Sequence, residues 1–323
     1  MSKKIKIGLV GLGHLGKIHL ELIRQIDYFV LSGIYDIDVK KAKSFAKKFN
    51  VKKYENVEKL ISESDAIDIV TPTDTHFNIA SKCLKLNKHI FIEKPLTKTL
   101  IEAQKLIDLI NNKKIVAQVG HIERFNPAFK SVKLLITNPK FIESHRLAEF
   151  NPRGTDVSVV LDLMIHDIDI ILSLIDSKIK TISGVGVPVI SKTPDIANVR
   201  IEFENKAVVN LTASRISLKS MRKTRIFQKD TYISINYLNK EVEVLKIKNA
   251  PKKPNEYDMI LENAEGVKKQ ILLKTPKIYD SNPIKEELTL FAESIINNTK
   301  PLVSLESGFK ALNVAHKIIN SFK

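Results

Sequence analysis

Short, almost unbroken apolar runs alternate with stretches of helical periodicity through the first 120 residues. Ile5-Lys6-Ile7-Gly8-Leu9-Val10 is followed by apolar positions Leu15, Ile18, Leu22, Ile23 and Ile26. Phe29 to Tyr35, Ala66 to Val70, His89 to Ile92 and Ile115 to Val119 repeat the short run, with helical patterns near 75–87 and 99–112 between them. Runs of four to seven apolar residues without strict alternation fit strands buried on both faces, and their alternation with helices predicts a parallel, doubly wound sheet.

The pattern changes after residue 120. A helix is expected near 127–137, and then alternating runs dominate: 141–150, 179–190, 199–203, 207–213, 225–227, 232–237 and 242–247. Strands that follow one another without helices predict a large open, mostly antiparallel sheet, hence an α+β second half. One helix interrupts them, from Val159 to Ile175, apolar almost all round and so expected to be deeply buried. Residues 249–257 read as a mobile loop, and helices near 283–298 and 305–321 close the chain. Two domains are expected, residues 1–120 and 121–323, with the C-terminal helix packing at their junction.

Composition narrows the partners. The 323 residues carry 52 Lys and Arg against 36 Asp and Glu, a net charge of +16, which raises the question of nucleic acid. The lysines are dispersed among carboxylates, Trp is absent, and no aromatic-basic interleaving occurs, so the charge reads as a solvated surface that also attracts anionic small molecules. The single cysteine, Cys83, lies in a helical pattern and excludes an internal disulfide, which suits a reducing compartment. No apolar stretch approaches membrane-spanning length. A cytoplasmic protein with no membrane and no nucleic-acid partner is the expectation.

Candidate chemistry sits at the carboxyl ends of the predicted strands. Gly11-Leu12-Gly13-His14-Leu15-Gly16 joins the first strand to the first helix, a turn in which a pyrophosphate can approach backbone N–H groups at a helix N-terminus. The next strand ends at Asp36, twenty positions after Gly16, where a carboxylate accepts the adenosine-ribose hydroxyls and repels a 2′-phosphate. This favours NAD over NADP. Lys40 and Lys41 are a counter-signal, and a merely solvent-exposed aspartate is the bland alternative.

Thr71-Pro72-Thr73-Asp74-Thr75-His76 follows the third strand; Thr71, Pro72 and His76 are candidate cofactor contacts, although Asp74 or Thr75 can simply cap a helix and His76 can simply pack. Glu93-Lys94-Pro95 ends the fourth strand and places a lysine beside a carboxylate at the mouth of the sheet. In the buried helix, Asp162, His166 and Asp169 recur at i, i+4 and i+7 on one face. A carboxylate one turn from an imidazole orients it for proton transfer. A satisfied core histidine competes with that reading. So does a metal site of Asp162, Asp169, His166 and His121, but no cluster has a recognised ligand spacing, and no metal is expected.

Together the glycine fingerprint, Glu93-Lys94-Pro95, the Asp162-x-x-x-His166-Asp167 helix and the tail from Asn282 to Gly308 resemble the Gfo/Idh/MocA oxidoreductase family over essentially the whole chain. The resemblance implies a Rossmann domain, a C-terminal α/β domain whose open sheet makes a homodimer or homotetramer, and hydride transfer between a sugar-like alcohol and NAD. It places catalysis on Lys94, Asp162 and His166. Gly120-His121-Ile122-Glu123-Arg124-Phe125-Asn126-Pro127 and Thr212-Ala213-Ser214-Arg215-Ile216 look most like members that oxidise the 3-hydroxyl of UDP-N-acetylglucosamine, making a 3-keto sugar for later transamination in lipid A synthesis. Substrate contacts are then expected from Lys94, Asp162, His166, Arg124 and Arg215, the two arginines being candidates for the diphosphate or, alternatively, structural ion pairs. The rival readings are a dehydrogenase of free polyols or inositol, and a nicotinamide-sensing protein without turnover.

Overall fold

A computed structural model describes residues 4–151, 157–253 and 255–322. They form two compact units. One comprises the residues up to 125 together with 282–313, the other 126–281 together with those from 314 onward. A single cut at residue 120 assigns 282–313 to the second half; these residues pack with the first.

The first unit runs β1 (Ile5–Val10), α1 (His14–Ile23), β2 (Phe29–Tyr35), α2 (Val39–Phe49), α3 (Val57–Ser62), β3 (Ala66–Ile69), α4 (Thr73–Lys85), β4 (His89–Glu93), α5 (Leu100–Ile110) and β5 (Ala117–Gly120). Its five strands are all parallel, in the order β2-β1-β3-β4-β5. Every residue of β3 and β5 is buried, which requires cover on both faces and explains the unalternating apolar runs. Ile5, Ile7, Ile23, Phe29 and Phe91 pack with Leu288 and Phe291, and Leu9, Leu12, Leu20 and Ile34 pack with Ala42 and Phe45. The strand order reverses direction between β1 and β3. Ligands of such sheets bind in the crevice that this reversal opens at the strands' carboxyl ends.

The second unit begins with α6 (Pro127–Val132), shorter than expected because the chain tightens into a 3₁₀ turn at 133–135. Then come β6 (Phe141–Leu147), α7 (Ile165–Leu174), β7 (Ile179–Val187), β8 (Ile196–Phe203), β9 (Val208–Ser214), β10 (Met221–Gln228), β11 (Thr231–Asn236), β12 (Glu241–Asn249), β13 (Met259–Glu262) and β14 (Lys268–Lys274). These make a nine-stranded sheet, β13-β14-β12-β11-β10-β6-β9-β8-β7. Only β6 and β9 pair in parallel among these neighbours. The alternation expected of a half-buried sheet is clean in β6, where Ile142, Ser144 and Arg146 face inward and Phe141, Glu143, His145 and Leu147 are partly exposed.

α8 (Pro283–Asn297) and α9 (Leu305–Ser321) end the chain. The side chain of Asn282 caps α8 by accepting from the Ile284 and Lys285 N–H groups, with Pro283 at the first helical position. Among the described residues no helix is long and apolar enough to cross a membrane.

Candidate functional site: a dinucleotide cleft and a buried histidine helix

A cleft of about 770 Å³ opens at the carboxyl ends of β1 to β4. It gathers Gly11, Gly13, His14 and Leu15 from the first loop, Asp36 from the second, Thr71 and Pro72 from the third, and Glu93 and Lys94 from the fourth. The lining also includes Ile37 and Asn78, which sequence reading did not name, and Lys41, Asp74 and Thr75, for which it left a cofactor contact and a bland role open. For Ile37 the available signal was its place directly after Asp36, with a side chain 88% exposed at the rim.

The three glycines of the turn serve different ends. Gly11 has φ +97°, and a Cβ there would lie 2.4 Å from the Val70 carbonyl oxygen. At Gly16 a Cβ would meet the Gly11 carbonyl oxygen at 2.1 Å, so this glycine lets helix and loop touch and does not itself line the cleft. Gly13 is different: its φ of −67° suits any residue, and nothing lies within 4 Å of where its Cβ would stand. It leaves open a space that a side chain would fill.

That space lies at the N-terminus of α1, which has no side-chain cap and no acidic residue in its first turn. Uncapped N–H groups and the helix dipole favour a phosphate there. Asp36 is fixed for its part by accepting the Leu12 N–H at 2.7 Å and the Asp38 N–H at 2.8 Å, with Lys41 Nζ 3.8 Å from Oδ1. A carboxylate holds two acceptor positions per oxygen, so it can still take two ribose hydroxyls. The residues present therefore fit a dinucleotide.

His76 does not line the cleft. It is buried, with Nε2 2.8 Å from Thr71 O and Nδ1 3.0 Å from Pro95 O, and burial holds its pKa below the ordinary value despite those carbonyls. It ties the third loop to the fourth and so fixes the turn that carries Lys94. Lys94 itself is half-buried, and its N–H donates to Glu93 Oε2 at 3.2 Å. Arg124 follows in a 3₁₀ turn at Ile122–Phe125.

In the second unit the expected single helix is two pieces. Residues 160–164 form a π turn in which the Ile165 N–H reaches the Val160 carbonyl, and the α-helix proper starts at Ile165. The i, i+4, i+7 reading assumed an unbroken α-helix, and such wide turns recur at functional sites. Asp162 and His166 are partly exposed, whereas Asp167 and Asp169 are buried. Asp167, to which no role had been given, accepts from Arg146 Nε at 2.8 Å and Nη2 at 3.0 Å and from Ser144 Oγ at 3.1 Å. This bidentate clasp pins the start of α7 to β6 and sets how His166 is presented.

Arg215 is 3% exposed. Its Nη2 donates to Val157 O at 2.5 Å, Pro194 O lies at 3.4 Å, and Nε stands 3.7 Å from Asp195 Oδ1. Burial would raise the Asp195 pKa, but the N–H groups of Ser191, Ile190 and Val189 converge on Oδ2 at 2.7–2.8 Å and hold it well below the usual carboxylate range. This is the structural ion-pair arrangement that the sequence left open. Among the described residues no group of three or more His, Cys, Asp or Glu is placed to hold a metal ion.

Residues 5–121 match the model of the oxidoreductase family with an NAD-binding Rossmann fold, and residues 135–232 match that of the GFO/IDH/MocA C-terminal domain. The UDP-N-acetylglucosamine 3-dehydrogenase of Acidithiobacillus ferrooxidans is 35% identical over 241 residues, 74% of this chain and 76% of that protein. The myo-inositol 2-dehydrogenase of Thermotoga maritima is 26% identical over 229 residues, 65% of this chain and 69% of that protein. A solved structure of the UDP-N-acetylglucosamine 3-dehydrogenase GnnA from A. ferrooxidans superposes with a TM-score of 0.87 at 28% identity, covering 99% of this chain and 98% of its own. Strand order, cleft and these likenesses agree: the chain belongs to the Gfo/Idh/MocA family of NAD-binding oxidoreductases.

Proposed function

We propose that the protein oxidises the 3-hydroxyl of UDP-N-acetylglucosamine to a ketone. The observation that carries this reading is one cleft that holds the glycine turn, Asp36 and Lys94 together, joined to 35% identity with a UDP-N-acetylglucosamine 3-dehydrogenase over three quarters of the chain. In the reaction the alcohol carbon gives up a hydride, the hydroxyl gives up its proton, and the products are ketone, NADH and H⁺. Bound NAD supplies the hydride acceptor.

The protein's own groups do the rest. N–H groups of the Gly11–Leu15 turn hold the pyrophosphate, Asp36 holds the adenosine ribose, and Thr71, Pro72 and Glu93 line the remaining wall. His166 takes the hydroxyl proton, with Asp162 orienting its ring, and the Lys94 ammonium stabilises the developing alkoxide; Lys94 is the alternative base. Arg124 pairs with the diphosphate, drawn in by a surface of net charge +16. Arg215 acts from behind, holding residues 157 and 189–195 in place.

The partly exposed face of the nine-stranded sheet makes the homo-oligomer. It presents Phe227 between Phe141 and Tyr232, at ring separations of 5.6 and 4.9 Å. Identity of 26% with a myo-inositol 2-dehydrogenase favours a second reading, a free polyol as substrate, with the same residues in the same roles.

Lys94→Ala and His166→Ala test the assignment. Each is expected to bind NADH within about threefold of wild type and to lose at least about 100-fold in kcat, the usual worth of a proton-transfer or alkoxide-stabilising group. Near-normal turnover in both would overturn it.

A further inference from the structure

The first unit buries four ionisable side chains together behind the cofactor cleft. His19 of α1 and Asp68 of β3 are wholly inaccessible, with Nδ1 2.8 Å from Asp68 Oδ2. The other ring nitrogen, Nε2, stands 3.4 Å from Oε1 of Glu93, the member of the group that lines the cleft. Glu93 lies flat against Gly120, its partner across β4 and β5, where a Cβ would come within 2.8 Å of Oε1. Its other oxygen accepts the Lys94 N–H. A row thus runs from Asp68 through His19 and Glu93 to the backbone of Lys94.

Glu287 of α8 is the fourth group, and it too is wholly inaccessible. Its main-chain oxygen accepts Gln118 Nε2 at 2.9 Å, and Gln118 sits beside Phe91 in the β4–β5 register. Leu288 and Phe291 flank it in the apolar core. Both Glu287 carboxyl oxygens, Gln118 Oε1 and Asp68 Oδ1 are buried with no protein partner. An apolar side chain at 287 would fit this core more cheaply, because a buried carboxyl without a use is costly.

Burial first, and then the charge of Glu93, push the Glu287 carboxyl well above its ordinary range, which favours the protonated form, a hydrogen-bond donor. His19 is held above its ordinary value, since Asp68 and Glu93 outweigh the burial that opposes its charge. Burial raises the Asp68 carboxyl as well, against the lowering effect of His19.

We propose that Glu287 is a positioning residue for the oxidoreductase reaction, its buried carboxyl, with Gln118 Oε1 and Asp68 Oδ1, holding internal water that links it to the Asp68–His19–Glu93 row and so keeps Glu93 against Gly120 and Lys94 at the end of the cleft. The inference rests on the catalytic role proposed for Lys94.

Glu287→Leu removes the donor and keeps the bulk; Glu287→Gln keeps both, and Glu287→Met is the second donor-free variant should leucine prevent folding. The infrared difference between wild type and Glu287→Gln at pH 7 is expected to show the C=O stretch of a protonated carboxylic acid. Glu287→Leu is expected to melt at or above the wild-type temperature. Its kcat on whichever sugar the wild type oxidises should fall about tenfold with KM unchanged, and Glu287→Gln should restore kcat to within about threefold. Acetic anhydride labelling of Lys94, followed by mass spectrometry, should change rate in Glu287→Leu and not in Glu287→Gln. Absence of the infrared band, or wild-type labelling and turnover in the donor-free variants, overturns the inference. Should no sugar reduce NAD even with wild type, the substrate reading fails by itself, and the band and the labelling rate still decide Glu287.

Discussion

Gly13 and Gly16 occupy the same turn three residues apart, yet alanine at each should fail in opposite ways. At Gly16 the new Cβ would sit 2.1 Å from the Gly11 carbonyl oxygen, whereas real Cβ atoms essentially never come under 3.0 Å. Loop and helix must separate by about 1 Å in a packed region, which costs about 3 kcal/mol. For a protein of 323 residues that lowers Tm by roughly 4 °C. At Gly13 φ is −67° and no atom lies within 4 Å of the added methyl. Alanine there loses a little as an N-cap and gains a little by restricting the unfolded chain, so stability stays within about 1 kcal/mol of wild type. Its methyl stands in the space assigned to the pyrophosphate, so NADH should bind at least about tenfold more weakly, a loss of about 1.4 kcal/mol. Thermal melts and NADH fluorescence titrations of both variants separate the effects. A Gly13→Ala variant that binds NADH as wild type does, with its Tm unchanged, would refute the placement of the dinucleotide.

Three further outcomes follow from single side chains. Asp36→Asn keeps an acceptor for the Leu12 N–H but loses the charge, so NADH affinity should fall about 30-fold, roughly 2 kcal/mol, and NADPH affinity should rise with Lys41 at hand, as read by paired fluorescence titrations. Because the Asp195 pKa is depressed by folding, its stabilisation is fully present above the unfolded value near 4 and is lost progressively as pH falls from there through the much lower folded value; Asp195→Asn should cost about 2 kcal/mol at pH 7, and the gap between urea melts of the two proteins should begin to narrow only below about pH 4. Phe227→Glu puts a charge in the aromatic patch of the open sheet and should shift the molecular mass in light scattering to that of a monomer, with the circular dichroism spectrum retained.

Much of the cofactor side was legible because its signals are local. A strand, a glycine turn and a carboxylate twenty positions on lie within 36 residues, and parallel-sheet topology then brings the ends of β3 and β4 to the same edge. Gly120, His19 and Asp68 were not singled out, since their importance arises only when α1, β3, β4 and β5 are side by side. Glu287 was hidden further: it looks like one of two solvent-facing glutamates at a helix start, and only the packing of α8 against the Rossmann sheet buries it.

In the second half the alternating strands announced themselves, but β13 and β14 did not. Lys268-Lys269-Gln270-Ile271-Leu272-Leu273-Lys274 is short, lysine-rich and near the sheet edge, where charge guards against aggregation and blurs the two-residue period. The π turn at 160–164 was likewise invisible, because helical periodicity of apolar residues does not register one wider turn. For Arg215 the sequence left a phosphate ligand and a structural ion pair both open, because its long-range partners, Asp195 and the Val157 carbonyl, are twenty and fifty-eight residues away.

The substrate claim is tested most directly by incubating the protein with NAD⁺ and, in parallel, UDP-N-acetylglucosamine, free N-acetylglucosamine and myo-inositol, while following NADH absorbance and the mass of the sugar. The account predicts NADH formation with UDP-N-acetylglucosamine alone, matched by a nucleotide sugar two hydrogens lighter and oxidised at C3. NADH formation with myo-inositol and none with the nucleotide sugar would contradict it.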